Sequence, residues 1–134
     1  MRTPFVLWCI FMTVIGVNSQ GRQASVEIFT PKDGALVDSR LLVEGKSSSP
    51  DAEVWVIVHP TEVSNYWIQP RVTVRGNGQW TVQVYVGRPG DIDMTKKFEL
   101  LAVANPKEHL REGEVLASWP EAEAHSDAIV VIRK

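Results

Sequence analysis

The three histidines of the chain, His59, His109 and His125, are the first residues to weigh for chemistry. A metal site needs donors that converge, such as two histidines four residues apart on one helix face or a histidine joined by carboxylates. These three are far apart and share no ligand spacing. His59 ends an apolar run just before Pro60 and reads as a strand-end residue. Nucleophilic chemistry has no better footing, because no serine stands in a Gly-x-Ser-x-Gly elbow and Ser47, Ser48 and Ser49 read as a polar loop. Among the carboxylates, Asp91 and Asp93 flank Ile92 in a glycine-containing stretch. Such a loop could offer oxygens to Ca²⁺, but the full ligand series is missing. Glu112, Glu114, Glu121 and Glu123 read as solvated surface charge. The expectation is a chain with no catalytic residues, no metal site and no cofactor.

Aromatic side chains remain as the informative group. Trp80 shares a face with three valines and Trp55 lies in a run that is apolar throughout, so both are expected in the core. Tyr66, Trp67, Tyr85 and Trp119 are harder to place inside. Tyr85 alternates with Thr81 and Gln83 on the outward side of its strand. Flat aromatics beside amide side chains can stack on a sugar ring or anchor a protein interface. Tyr66, Trp67, Gln69 and Tyr85 are therefore the candidate binding patch; the structural alternative is that Tyr66 and Trp67 cover the open end of the domain.

These residues need a scaffold, and two-residue periodicity supplies it. Gln79 to Val86 places Trp80, Val82, Val84 and Val86 on one face and Gln79, Thr81, Gln83 and Tyr85 on the other, the pattern of a half-buried strand. Arg71 to Arg75 alternates before it, and Gly76-Asn77-Gly78 joins the two as a tight hairpin. Further strands are expected over 25–29, 41–45, 53–59, 66–69, 96–104 and 127–133. The 53–59 strand is apolar on both faces and so belongs at the centre of a sheet, and Pro70 suits an edge or bend. Pro106 at a plausible first helical position, followed by charges and two leucines, predicts one short helix over 106–117 before the last strand, with Leu110 and Leu116 packed down on the domain. About seven strands with turn signals every 8 to 12 residues predict an antiparallel two-sheet sandwich.

The succession V-x-I-x-x-P-x-D-G (26–34), L-x-V-x-G (41–45), V-W-V-I-V-H-P (54–60), Y-W-I-Q-P (66–70), G-x-W-x-V-x-V-x-V-G (78–87) and F-E-L-L-A-V (98–103) resembles the immunoglobulin-like modules of bacterial exported and surface proteins. The resemblance implies an immunoglobulin-like β-sandwich over 25–134 acting as a non-enzymatic binding, adhesion or spacer domain. The cysteine pair that flanks the strand tryptophan in antibody domains is missing, so Trp55 matches that tryptophan by position alone. Fold analogy does not assign an activity.

Compartment follows from the first residues. Arg2 precedes a charge-free stretch from Phe5 to Val17 and a small polar exit at Asn18-Ser19-Gln20-Gly21, the layout of a secretory signal peptide. A signal over 1–19, a flexible lead over 20–24 and a secreted or periplasmic, cell-envelope domain over 25–134 are expected, with an uncleaved anchor as the competing reading. Cys9 is the only cysteine and lies within the signal, so the mature domain must be held by its apolar core rather than by a disulfide. The chain has 14 Lys and Arg against 16 Asp and Glu, mixed along its length. That balance argues against nucleic acid as a partner, and against docking on anionic lipid. A protein partner or an envelope glycan is the expected ligand, with a small hydrolase or metal-dependent enzyme as the remote alternative.

Overall fold

The computed structural model describes residues 23–134 as eleven β-strands in two sheets, with no helix among the described residues. The expected signal segment (1–19) and residues 20–22 of the lead lie outside the described residues. The strands are β1 (Val26–Thr30), β2 (Ala35–Val37), β3 (Arg40–Ser47), β4 (Val54–Pro60), β5 (Tyr66–Ile68), β6 (Thr73–Val74), β7 (Gln79–Tyr85), β8 (Lys97–Pro106), β9 (Val115–Leu116), β10 (Ala122–His125) and β11 (Ile129–Arg133). One sheet has the order β1-β3-β7-β6; the other runs β2-β11-β8-β4-β5-β9, with β10 also paired to β8. Pairing is antiparallel except between β2 and β11, which run parallel, so the second sheet is mixed. The chain reaches that arrangement by changing sheets twice at its start: β1 lies in the first sheet, β2 on the edge of the second, and β3 back in the first.

The alternation read from the sequence is what seals the two sheets together. Val43, Trp80, Val82 and Val84 from the first sheet meet Val54, Val56, Val58, Phe98, Leu100, Ala102 and Val131 from the second in one buried cluster. Trp80 is 1% exposed, and its ring lies against Gly45 of the neighbouring strand, in register with it. A β-carbon at Gly45 would run into both that ring and the backbone carbonyl of Glu27 on β1, so only glycine lets three strands and an indole approach so closely here.

The apolar character of both faces of β4 and β8 has a second cause. Trp55, Ile57, Leu101 and Val103 point away from the first sheet and pack with Ile68 and Leu110, flanked by Tyr66, Leu116, Trp119 and Ala122. The excursion 107–121 between β8 and β10 thus covers the far face of the second sheet. Leu110 is buried and Leu116 is packed against this cluster, as their apolar character demands, but the expected helix over 106–117 is not formed. Leucines six residues apart lie roughly 120° apart around a helix of 3.6 residues per turn, at opposite margins of any one buried face. Irregular chain with a turn at 112–113 serves both: Pro106 ends β8, Gly113 donates its N–H to the Ile68 carbonyl (2.9 Å), and Val115–Leu116 pairs with β5.

The hairpin expected at Gly76-Asn77-Gly78 is present, closed by the Gly78 N–H on the Arg75 carbonyl (2.9 Å) and the Arg75 N–H on the Gln79 carbonyl (2.8 Å). Gly78 adopts φ +87°, which favours glycine. At the other end of the fold, β10 and β11 lie along the same side of β8 and are separated by a break at Ser126. The buried Ser126 repairs it: its N–H donates to the Ala102 carbonyl (2.8 Å) and its Oγ accepts the Ala102 N–H (2.9 Å).

Candidate functional site

The site is formed where the chain crosses from one sheet to the other. Residues 66–68 belong to the second sheet and residues 73–74 to the first, and Pro70 sits in the crossover. Beside this crossing a groove of about 750 Å³ opens at the edge of the sandwich. Its apolar floor comes from the buried Val58, Ile68 and Phe98. Trp67 and Tyr85 line it while remaining 41% and 52% exposed, and Val63 and Pro70 add further apolar wall.

Of the four residues singled out in the sequence, three meet at this groove: Trp67, Gln69 and Tyr85. Their roles differ. Gln69 is 5% exposed, and its Oε1 accepts the Tyr85 N–H at 2.8 Å while its Nε2 donates to the Trp67 carbonyl at 3.3 Å. It ties the outgoing strand of one sheet to the crossover from the other and sets the backbones of both exposed aromatics. Tyr66 is on the opposite face, as neighbouring residues of a strand must be. It stacks on His59 with ring centres 3.9 Å apart and 11° between planes, and Trp119 meets both rings edge-on. That cluster packs on the covered far face of the second sheet.

His59 has a structural setting. Its Nδ1 lies 2.8 Å from the Glu99 carboxylate and its Nε2 lies 2.7 Å from the Val63 carbonyl. The second contact ties the 61–65 loop, and with it Val63 of the groove wall, to β4. His125 contacts the Ser126 carbonyl through Nδ1 at 2.8 Å, and His109 is exposed in the excursion. The three histidines are thus placed separately, and among the described residues no three His, Cys, Asp or Glu side chains come together.

Charge at the groove was the least legible part. Asp93 is buried and accepts from the Arg88 N–H (2.7 Å), the Arg88 guanidinium (2.9 and 3.2 Å) and Lys96 (3.2 Å). The Arg88 side chain and backbone hydrogen bonds, helped by Lys96, hold the Asp93 carboxyl well below the usual carboxylate range despite its burial, and the same contact raises Arg88. Two cations already meet this carboxylate, so Asp93 with Arg88 and Lys96 organises the 87–95 loop, while Asp91 beside it is exposed. Arg133, buried at the end of β11, fastens the same loop from beneath by donating to the carbonyls of Val86, Arg88 and Gly90 (2.8, 2.8 and 2.7 Å). The Asp93-x-x-Lys96 spacing near Arg88 was a signal in the sequence, but Arg133 lies too far along the chain for any local pattern to reveal it.

No protein-family model matches the chain, and no curated protein shows significant similarity to it. The reading of the groove therefore rests on its geometry.

Proposed function

We propose that the protein is an exported, non-enzymatic binding module that recognises a protein partner through the groove at the sandwich edge. One observation carries this reading: two large aromatics, Trp67 and Tyr85, stay half open to solvent at the wall of a concavity whose floor is apolar and whose backbone is braced by a buried glutamine. The volume falls within the roughly 300–1,000 Å³ of ligand pockets, and rigid aromatics beside a pocket are what interfaces use as anchors. A secreted or cell-envelope site of action accompanies the reading and rests on the signal-like N-terminus. The immunoglobulin-like relationship is likewise part of the proposal, supported by two facing sheets and the residue patterns quoted above. Trp55 departs from that family's habit, because it packs on the outer cluster of its sheet rather than between the sheets.

Selection of a random peptide library on the purified 20–134 domain tests this. Trp67→Ala and Tyr85→Ala are expected to abolish enrichment; both side chains are half buried on paired strands, so each variant also loses some stability, and its unfolding midpoint is measured to show that it remains folded at the selection temperature. Identical enrichment by wild type and Trp67→Ala would remove the groove from the mechanism. A Trp67-dependent signal on a glycan array instead of peptides would assign the groove to carbohydrate.

A further inference from the structure

The two contacts of His59 ask for more protons than a neutral ring and a carboxylate carry. Nδ1 lies 2.8 Å from the Glu99 carboxylate and Nε2 lies 2.7 Å from the Val63 carbonyl. A carbonyl oxygen only accepts, as does an ionised carboxylate, whereas a neutral imidazole has one N–H and one lone pair. Both contacts are hydrogen bonds only if the His59–Glu99 pair holds one further proton. Whether that proton sits on the ring or on the Glu99 oxygen, it belongs to the pair. The setting suits a charged ring: Tyr66 stacks on it at 3.9 Å with 11° between planes, offering its π face to a cation. The His59 side chain is 12% exposed, so water does little to replace a lost partner.

The Val63 contact fastens a wall of the groove. Residues 61–65 join β4 to β5, and Glu62 and Val63 line the groove. The other ties of this loop among the described residues are longer. Thr61 donates to the Lys97 carbonyl (3.1 Å from N–H, 3.2 Å from Oγ1), the Val63 N–H donates to the Pro60 carbonyl (3.3 Å), and Glu62 approaches Lys96 at 4.0 Å. Few charged or titratable groups surround the ring. β8 brings Glu99 and, on the same face by alternation, Lys97; β5 brings Tyr66; the loop brings Glu62; and Glu114 stands just before β9. The 107–121 excursion meets the ring through Trp119, and β11 sets Val130 and Ile132 opposite Glu99 and Lys97. Histidine is the one of these types whose charge ordinarily changes between about pH 5 and 8.

We propose that the proton held by His59 and Glu99 latches the 61–65 loop, so that this wall of the groove is fastened in mild acid and released in mild alkali. When the proton leaves, one of the two contacts must go. The N–H that remains stays with the carboxylate, because a hydrogen bond to a charged acceptor is roughly twice as strong as one to a neutral carbonyl. Nε2 then turns a lone pair toward the Val63 carbonyl and repels it. The latch stands on these contacts alone; that it regulates ligand binding rests on the groove reading above.

¹³C relaxation of the Val63 methyl groups reports the loop with no ligand present, so failure of the latch and failure of the groove reading are told apart. In the wild type these methyls are expected to be ordered at about pH 5.5 and mobile at about pH 8.5. The released population should rise about tenfold, the worth of one hydrogen bond to a charged group. Glu99→Gln separates the proton from the packing. Its amide can donate an N–H to Nδ1, which lets a neutral ring keep its own N–H for the Val63 carbonyl. This variant is expected to hold the loop at both pH values. Ring ¹⁵N shifts of His59 give a second readout. On the alkaline side Nε2 should be the bare nitrogen in the wild type, and Nδ1 in Glu99→Gln. Wild-type methyls equally ordered at both pH values would overturn the latch. So would a Glu99→Gln loop that still loosens in alkali, or a neutral wild-type ring that keeps its proton on Nε2.

Discussion

Replacement of Gln69 separates a bracing role from a contacting one. In Gln69→Leu the side chain keeps its approximate volume and loses both polar atoms. The Tyr85 N–H, which now donates to Gln69 Oε1 at 2.8 Å, is left facing an apolar group, and the Trp67 carbonyl loses its longer 3.3 Å donor. An orphaned buried donor costs about 1–3 kcal/mol, and the long bond adds little, so a loss of about 2 kcal/mol is expected. For a domain of this size that corresponds to a fall in Tm of roughly 10 °C. Gln69→Glu keeps an acceptor for the Tyr85 N–H but turns a second oxygen toward the Trp67 carbonyl in a buried place, so it should be damaging at neutral pH and less so in mild acid, where the protonated carboxyl can donate to that carbonyl. Urea unfolding of the three proteins gives the stability differences, and hydrogen exchange at the Tyr85 amide reports the bond itself, with faster exchange expected in the leucine variant. If Gln69→Leu unfolded within about 0.5 kcal/mol of wild type and the Tyr85 amide kept its protection, the glutamine would not be the brace described here.

Two further perturbations test the scaffold. Gly45→Ala forces a methyl group into Trp80 and the Glu27 carbonyl; overpacking of this kind costs about 1–3 kcal/mol, and urea unfolding should place this variant near the upper end because part of the obstruction is backbone. Asp93 gives a pH dependence of defined sign. Its native carboxyl titrates below its unfolded counterpart, so the unfolded chain takes up the proton first, and the stability this group provides is complete above about pH 4 and is lost as pH falls toward the lower native value. Thermal melts from pH 6 down to pH 2 should show that loss in the wild type, and Asp93→Asn should flatten it.

Legibility in the sequence followed periodicity. The 79–86 face pattern, the glycine hairpin before it and the doubly apolar 53–59 run each located a strand, because burial on one or two faces is written residue by residue. The far-face cluster was legible only as a surplus of apolar residues in β4 and β8; what covers it depends on chain more than 40 residues beyond β4. Proline and spaced leucines over 106–117 suggested a helix, yet pairing with β5 and burial of Leu110 prevailed over that local signal. Tyr66 and Trp67 were grouped as one patch although adjacent strand residues face opposite ways, and the structure separates them accordingly. Asp93 and Arg88 were close enough in sequence to be paired; the carbonyl contacts of Arg133 arise from tertiary proximity across more than 40 residues.

The margins of both sheets have a consequence for solubility at high concentration. On the second sheet the outermost strands are three and two residues long and β10, paired with β8 alone, has four; on the first one margin is a two-residue strand while the other, β1, carries an irregularity of register between Ile28 and Thr30. Each border therefore offers an incoming chain too few consecutive amides to template a growing fibril. With no cysteine beyond position 9 to cross-link neighbours either, the domain is expected to resist edge-to-edge association at high protein concentration.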